Sequence, residues 1–198
     1  MSAAGTERPH PELLLASASP QRRAILAQVG IAFTVEVTRV EELADGDPRA
    51  VAAENARRKA LAPAAPGRLV LGADTVVAAG GRALGKPRDE QQAREYLAGL
   101  SAVEHEVCGG IALARDGRLL REAVVVTRVA FRELAPAVLD WYLATGEWRE
   151  RAGGYAIQGA GAALVSGVFG DYLNVVGLPL ATLLDLAPEL SPHVPPRA

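Results

Sequence analysis

Apolar runs and helical patterns alternate along the first half of the chain. Continuous apolar runs predict strands, and apolar residues spaced three or four positions apart predict helices. The predicted strands are residues 12–18, 31–37 and 69–79, and the predicted helices are residues 21–29, 48–61 and 89–100. Pro20 fits the first turn of the first helix, and Gly30 fits its C-terminal cap. This alternation predicts an α/β arrangement.

The second half begins with two long strand patterns. Residues 104–115 and 119–131 flank Asp116-Gly117, a strong hairpin signal. A helix is predicted at residues 136–145. The two halves together predict an α/β fold with an elongated, mixed sheet flanked by helices, and with a central cleft between two lobes.

The last part of the chain is rich in glycine. Two short strand patterns lie on either side of Gly170-Asp171, and a final helix is predicted at residues 180–190. The proline-containing ends are expected to fray.

The composition is that of a folded globular protein. Of the 198 residues, 49% are hydrophobic and 22% are charged, which is enough to bury a sizeable core. The net charge is −2 and the pI is about 6.0, so we expect neither nucleic acid nor an anionic membrane as a partner. Any anionic ligand must be held by a local cluster of charges.

Cysteine content and apolar runs bear on the cellular compartment. Cys108 is the only cysteine, which excludes an internal disulfide and a zinc site built from cysteines. No apolar run reaches the roughly 20 residues of a membrane helix, and the first twelve residues lack the apolar core of a signal peptide. These features predict a cytoplasmic protein.

Lysine is rare in a chain that uses arginine freely. Of 21 basic residues only Lys59 and Lys86 are lysines, and the only asparagines are Asn55 and Asn174. Ammonium is a compact charge on a flexible stem, whereas guanidinium is a planar fork, so both lysines are candidates for sites where arginine will not serve. Chance survival of two surface lysines is the competing interpretation. Asn55 and Lys59 share one face of the second predicted helix.

Asp74 lies inside the apolar run LVLGADTVVAA. A carboxylate is costly to bury there without a partner, and a metal ion, a lysine or a catalytic water would each satisfy it. Hydrogen bonds to neighbouring backbone are the purely structural alternative. Lys86 follows in LGKP, beyond a Gly-Gly turn, so a hairpin there would return Lys86 towards Asp74.

The segment LASASPQRR places two serines and two arginines where a strand turns into a helix. Unpaired N–H groups and the positive end of the helix dipole meet at such a turn, and Arg22 can add a bidentate phosphate contact. The segment is therefore a candidate anion site. A serine helix cap with solvated arginines is the commoner use of these residues.

Other polar residues are candidates for ligand contacts. Glu41 and Glu42 lie in an acidic loop and could help to hold a hard divalent cation, although paired acids in loops are usually just solvated. In AGGYAIQGAG, which is neither a P-loop nor a dinucleotide fingerprint, Tyr155 offers a flat surface and Gln158 an amide able to read a base edge. The three histidines have no metal-ligand spacing and no neighbouring nucleophile, which argues against zinc and against a Ser-His-Asp mechanism.

Five motifs occur in order between residues 13 and 190: LASASPQRR, GADTVV, LGKP, GGYAIQG and NVVGLPL. Together they resemble the Maf family. The resemblance implies a single domain over residues 1–198, ordered from about residue 12 to residue 190, with a fold shared with inosine triphosphate pyrophosphatases. It also implies a homodimer, with the active site in the cleft.

The implied activity is hydrolysis of a nucleoside triphosphate to the monophosphate and pyrophosphate, with Mg²⁺ or Mn²⁺ as the cofactor. Asp74 matches the catalytic acid of the family, described as the proton acceptor for the attacking water. Lys59, Lys86 and Glu42 match the other charged members of the site, and Glu42 and Asp74 are the implied metal ligands. The motif leaves open whether Asp74 acts as a base or chiefly as a ligand.

The resemblance also implies which residues bind substrate. Ser17 and Arg22 match the phosphate-binding start of the family, and Gln158 matches the base-reading position. Thr75 and Gln158 are typical of the branch that hydrolyses dTTP and UTP, whereas the branch acting on 7-methyl-GTP tends to carry Gln and Glu there. Gln21 departs from the arginine of many pyrimidine-specific members, which leaves the breadth of the specificity open.

A nucleotide-binding regulator without significant catalysis is the alternative hypothesis, because the family was first associated with septum formation and cell division. The presence of all four charged site residues favours the enzyme.

Overall fold

A computed structural model describes residues 13–191, and strands and helices follow the predicted order as far as residue 169. The strands are β1 (Leu13–Leu15), β2 (Phe33–Val35), β3 (Leu69–Ala79), β4 (Arg82–Leu84), β5 (Glu104–Arg115), β6 (Arg118–Phe131) and β7 (Val165–Phe169). The helices are α1 (Pro20–Gln28), α2 (Pro48–Leu61), α3 (Glu90–Leu100), α4 (Pro136–Ala144), α5 (Tyr172–Val176) and α6 (Leu180–Leu186). Glu12, the predicted start of the first strand, lies outside the described residues, as do His10 and His193.

The strands form one mixed sheet in the order β2-β1-β3-β5-β6-β7, and β4 pairs with the far end of β3. β1 runs parallel to β2 and β3, and the remaining pairs are antiparallel. Asp116 and Gly117 both have positive φ and form the tight turn between β5 and β6, as their sequence predicts. The predicted mixed sheet flanked by helices is confirmed.

Helix α1 begins and ends where its sequence predicts. Pro20 occupies the first turn, and the hydroxyl of Ser19 accepts a hydrogen bond from the backbone N–H of Arg22. Gly30 follows the helix with a φ of 74° and donates its N–H to the carbonyl of Ala27, which closes the last turn. Among residues 13–191, no helix is both long and apolar enough to span a membrane.

Two apolar clusters lie on the same face of the sheet, at opposite ends of its long strands. The first contains Leu71 and Ile111 and is covered by α1 and α6. The second contains Val77 and Val107 and is covered by α3 and α4. Positions 71 and 77 of β3 point to one face because side chains alternate along a strand. Each cluster is the core of one lobe, and the predicted cleft lies between them.

Helix α2 crosses the opposite face of the sheet at very short range. A Cβ atom added to Gly72 would lie 2.1 Å from the carbonyl oxygen of Ala56, and one added to Gly110 would lie 2.1 Å from that of Ala52. The helix presents buried alanines to these glycines. The backbones of α2, β3 and β5 are therefore nearly in contact, and no larger residue fits between them.

Two predictions for the C-terminal part are wrong in detail. The second short strand pattern, after Asp171, is the helix α5, because the Asp171 carboxylate accepts the N–H groups of Leu173 and Asn174 and caps the helix. The last helix ends at Leu186 rather than near Leu190, and a 3₁₀ turn follows it. Pro188 lacks the N–H that would continue the α-helix.

The close approach of α2 makes a prediction about stability. We expect Gly72→Ala to lower the free energy of unfolding by about 3 kcal/mol or more, because the added methyl meets helix backbone that cannot rotate away. Gly99→Ala in α3 is the matched control: no atom lies within 4 Å of its added Cβ, so stability should stay equal or rise by up to about 1 kcal/mol. Urea unfolding of both variants measures the difference, and equal effects would contradict the packing argument.

Candidate functional site

The cleft opens where one edge of β3 has no neighbouring strand. β5 pairs with β3 from Val70 to Ala78 on one side. On the other side β1 pairs only with residues 69–71 and β4 only with residues 77–79. Within the described chain, the middle of that edge thus borders a cavity of about 880 Å³ instead of a strand. Asp74 and Thr75 lie at this gap and project to opposite faces of the sheet.

Asp74 points to the face that α2 covers, where it meets the side chain of a lysine. Lys59 Nζ lies 2.7 Å from Asp74 Oδ1 and 2.9 Å from Glu42 Oε1. The side chains of Lys59 and Asp74 are 10% and 11% exposed, whereas that of Glu42 is half exposed. Asp74 is therefore buried with a lysine partner, one of the arrangements its sequence context indicates. The two carboxylates converge on one ammonium.

Asn55 completes this cluster, and the sequence reasoning did not assign it to the site. Its Nδ2 donates to Asp74 Oδ2 at 3.0 Å, and the side chain is buried one helical turn from Lys59. Two signals pointed to it: asparagine is as rare as lysine in this chain, and Asn55 shares a helix face with Lys59. Both oxygens of Asp74 are thus held by donors from α2.

Thr75 points to the other face, towards a buried arginine. Arg22 donates through Nη2 to Thr75 Oγ1, through Nη1 to Ser17 Oγ and through Nε to the carbonyl of Gly177. All three partners are uncharged. Burial lowers the pKa of Arg22 from its ordinary value, and the charges of Asp74 and Glu42 partly offset that effect. Among the described residues, no carboxylate forms an ion pair with this guanidinium.

The start of α1 adds polar groups beside Arg22. Ser17 Oγ also accepts the N–H of Ser19, and Ser19 Oγ donates to Gln21 Oε1 at 3.1 Å. Gln21 lines the cleft. The segment is thus a serine-capped helix, but Arg22 is a buried cation surrounded by hydroxyl and carbonyl acceptors rather than a solvated arginine.

Lys86 lies at the rim of the cleft. The β3–β4 hairpin turns through Gly80 and Gly81, and Lys86 follows β4 and lines the same cavity as Asp74. Its ammonium pairs with Glu150 Oε2 at 3.0 Å rather than with Asp74, and its side chain is 60% exposed. The sequence reasoning did not include Glu150, which has no motif signal beyond its place before the glycine-rich segment.

The remaining candidates, Gln158 and Tyr155, line the same cleft. Gln158 is exposed at the cleft, and within the described residues no hydrogen bond occupies its amide. Tyr155 borders the cleft, but its ring is only 6% exposed and packs edge-on against Phe131 and His105. Its hydroxyl is 2.9 Å from His105 Nε2. Tyr155 is therefore chiefly a core side chain rather than the flat ligand surface that its sequence suggested.

The donor set at the gap suits a hard divalent cation. Glu42 and Asp74 supply carboxylate oxygens that approach the same point, the Lys59 ammonium. Among the described residues, no group of three or more His, Cys, Asp or Glu side chains is arranged around one centre. Mg²⁺ is commonly held by only one or two carboxylates, with water and substrate phosphates completing its shell. The two residues fit such an ion in the presence of a phosphorylated ligand.

Comparison with known proteins gives matches over almost the whole chain. A dTTP/UTP pyrophosphatase of Anaeromyxobacter dehalogenans (strain 2CP-C) is 48% identical over 176 residues, which cover 86% of this chain and 90% of that protein. A dTTP/UTP pyrophosphatase of Myxococcus xanthus (strain DK1622) is 46% identical, over 94% of this chain and 96% of the relative.

A solved structure and a family model complete the comparison. The structure of a HAM1 protein from Coxiella burnetii covers 90% of this chain and 99% of its own, at 18% identity and a TM-score of 0.48, and nothing about activity follows from so distant a likeness. The model of the family described as Maf-like protein matches residues 12–190. Since that match spans nearly all of the sequence and the relatives are close to half identical, the chain belongs to the Maf-like protein family.

Proposed function

We propose that this protein is a nucleoside triphosphate pyrophosphatase that hydrolyses dTTP and UTP to the monophosphate and pyrophosphate. One observation carries the proposal: a buried arginine without an ion-pair partner, Arg22 of α1, and a buried carboxylate, Asp74 of β3, line one cleft. Arg22 is held there by Thr75, the residue after Asp74. The arginine binds an anion and the carboxylate acts on water. The names of the Anaeromyxobacter and Myxococcus relatives agree with this activity and supply the substrate.

Arg22 is suited to a phosphate group. It is 8% exposed and its partners are two hydroxyls and a carbonyl, so its positive charge is not neutralised by the protein. Burying such a charge is costly unless a counter-ion is present, and a triphosphate supplies one. Lys86 at the rim adds a flexible cation that can turn from Glu150 towards the outer phosphates.

Asp74 is suited to direct a water molecule. Lys59 and Asn55 fix the plane of its carboxylate, and a carboxylate has further lone pairs with which to accept a proton from water. Held beside the phosphate site, such a water attacks the α-phosphorus in line, and pyrophosphate leaves. The reaction needs no covalent intermediate.

A divalent cation, Mg²⁺ or Mn²⁺, belongs to the proposal. When bound, it would neutralise the triphosphate and polarise the scissile bond, and Glu42 and Asp74 would hold it. The residues of the chain then divide the remaining work. Arg22 and Ser17 orient the phosphates, Lys59 keeps the two carboxylates together, and Asp74 orients or deprotonates the water.

The preference for a pyrimidine rests on the base-reading amide. Gln158 offers a donor and an acceptor that can pair with the N3–H and a carbonyl of thymine or uracil. Thr75 holds Arg22, so its influence on the base passes through the phosphate site. Gln21 leaves an uncharged side chain where an arginine is typical of pyrimidine-specific relatives.

A nucleotide panel tests the activity. We expect pyrophosphate release from dTTP and UTP with Mg²⁺ or Mn²⁺ and none with excess EDTA, because the two carboxylates and the phosphates need the cation to approach one another. Values of kcat/KM for CTP, GTP and 7-methyl-GTP should be lower by about tenfold or more, a difference of about 1.4 kcal/mol. A clear preference for a guanine nucleotide would contradict the base assignment alone. Release of orthophosphate instead of pyrophosphate would contradict the reaction.

Asp74→Asn tests the role of the carboxylate. The variant keeps the size of the side chain but cannot accept the proton of water, and we expect kcat to fall by about a hundredfold to ten-thousandfold. The midpoint of thermal unfolding should show that the fold persists. Glu90→Gln, an exposed acid at the start of α3, is the matched control and should keep the wild-type rate. Substantial activity of Asp74→Asn with Mg²⁺ would refute the assignment.

The two lysines make a further prediction. Lys59→Arg places a planar guanidinium where a compact ammonium now binds two carboxylates. Lys86→Arg would bind the Glu150 carboxylate through two hydrogen bonds, and its side chain would be less free to turn towards the substrate. We expect both to lose at least about tenfold in kcat/KM, or about 1.4 kcal/mol, with the larger loss at the buried Lys59. The control is Arg94→Lys, which replaces an arginine by a lysine in a surface ion pair with Asp140. Near-normal kinetics of both lysine variants would mean that their scarcity is accidental.

A further inference from the structure

The loop that carries Glu42 has few internal supports. Residues 36–47, here called the acidic loop, connect β2 to α2 without regular secondary structure, and most of their side chains are exposed. Three residues of α2 hold its centre. Arg58 donates to the carbonyl of Glu41, Lys59 pairs with Glu42, and Asn55 binds Leu43.

Asn55 makes the buried member of these contacts. Its Oδ1 accepts the N–H of Leu43 at 2.7 Å, and its Nδ2 donates to the carbonyl of the same residue at 3.0 Å. The side-chain amide thus pairs with both backbone groups of Leu43. The other Nδ2 proton goes to Asp74 Oδ2 at 3.0 Å, so one amide binds the loop and the carboxylate together.

These contacts close a ring. Asp74 is held through one oxygen by Asn55 and through the other by Lys59, and Lys59 also holds Glu42, the residue before Leu43. Asn55 is only 2% exposed, and its hydrogen bond to Asp74 is shielded from competition with water, whereas its two hydrogen bonds to Leu43 are partly buried. A hydrophobic residue of similar size would fill the space but would leave both backbone groups of Leu43 without their side-chain partner.

We propose that Asn55 is a positioning residue that fixes the acidic loop to Asp74 and thereby sets the position of Glu42 in the site. The inference rests on the proposed function for its catalytic consequence, but not for its structural one. Asn55 acts through Glu42 and Asp74 and does not itself meet the substrate.

A double-mutant cycle measures the catalytic consequence. We expect Asn55→Ala to lower kcat by about tenfold or more while KM changes little, because Arg22 and Ser17 still bind the phosphates. The factor by which Glu42→Gln lowers kcat should be at least about threefold smaller in the Asn55→Ala background than in the wild type, because Glu42 has already lost its position there. Independent, multiplicative effects would overturn the proposal.

The matched control is the only other asparagine of the chain. Asn174 is fully buried and donates to the carbonyls of Val107 and Val125 and to Thr127, with no contact to the acidic loop. Asn174→Ala therefore removes a comparable buried amide. Its effect on kcat and that of Glu42→Gln should be independent, so that the two factors multiply in the double variant. Coupling of equal size in both cycles would mean that the loss of any buried amide changes the effect of Glu42→Gln, and would overturn a specific role for Asn55.

Hydrogen exchange gives a readout that needs no activity. The only partner of the Leu43 N–H in the described structure is Asn55 Oδ1, so Asn55→Ala should speed exchange at this amide, whereas Asn174→Ala should not.

Asn55→Asp keeps the acceptor and the volume, so the Leu43 N–H should stay protected from exchange even though the new carboxylate faces Asp74 and kcat falls. This variant also serves if Asn55→Ala does not fold. Wild-type kcat in Asn55→Asp, or unchanged Leu43 exchange in a folded Asn55→Ala, would overturn the proposal. A wild-type protein that releases no pyrophosphate from any nucleotide would refute the proposed function instead, and the exchange result would still stand.

Discussion

The packing of α2 directly on the backbone of the sheet is the constraint on which the site depends. Gly72 and Gly110 leave no side chain between the strands and the helix, and the carbonyls of Ala56 and Ala52 occupy the space where a Cβ would lie. Asn55 is consequently close enough to β3 to reach Asp74 with its short side chain, and Lys59 reaches the same carboxylate from the next turn of the helix. A helix held a few ångströms further out would leave that carboxylate buried without donors, at a cost of several kcal/mol.

The charges of the site are divided between the two faces of one strand. On the α2 face, one ammonium is shared by two carboxylates, which leaves a local excess of negative charge that suits a cation. On the other face, Arg22 is held by neutral groups, which leaves a positive charge that suits a phosphate. Asp74 and Thr75 are adjacent in sequence, so the two halves meet at the open edge of β3. In the proposed function, this division would give a metal and the phosphates separate places.

The open edge itself follows from the lengths of the neighbouring strands. β1 and β4 each have only three residues, so they cover the two ends of β3 and leave its middle bare. β5 covers the other edge continuously, from Val70 to Ala78, and so spans both lobes. The long strands therefore support both apolar clusters, while the gap between the short ones opens into the cleft.

The sequence by itself determined the order of the elements from β1 to β7, the long hairpin of β5 and β6, the capped start of α1 and the need of Asp74 for a partner. Each of these depends on residues that are close along the chain. The prediction failed after Asp171: the apolar residues that follow favour a strand, but the Asp171 carboxylate caps a helix. The tertiary structure alone decided which partner Asp74 receives, that Asn55 joins it to Leu43, that Lys86 pairs with Glu150 and that Tyr155 turns into the core. Each of these contacts links residues at least twelve positions apart in the chain. The distances between these residues are set by how closely the helices pack on the sheet, and the local pattern of apolar and polar residues does not indicate that spacing.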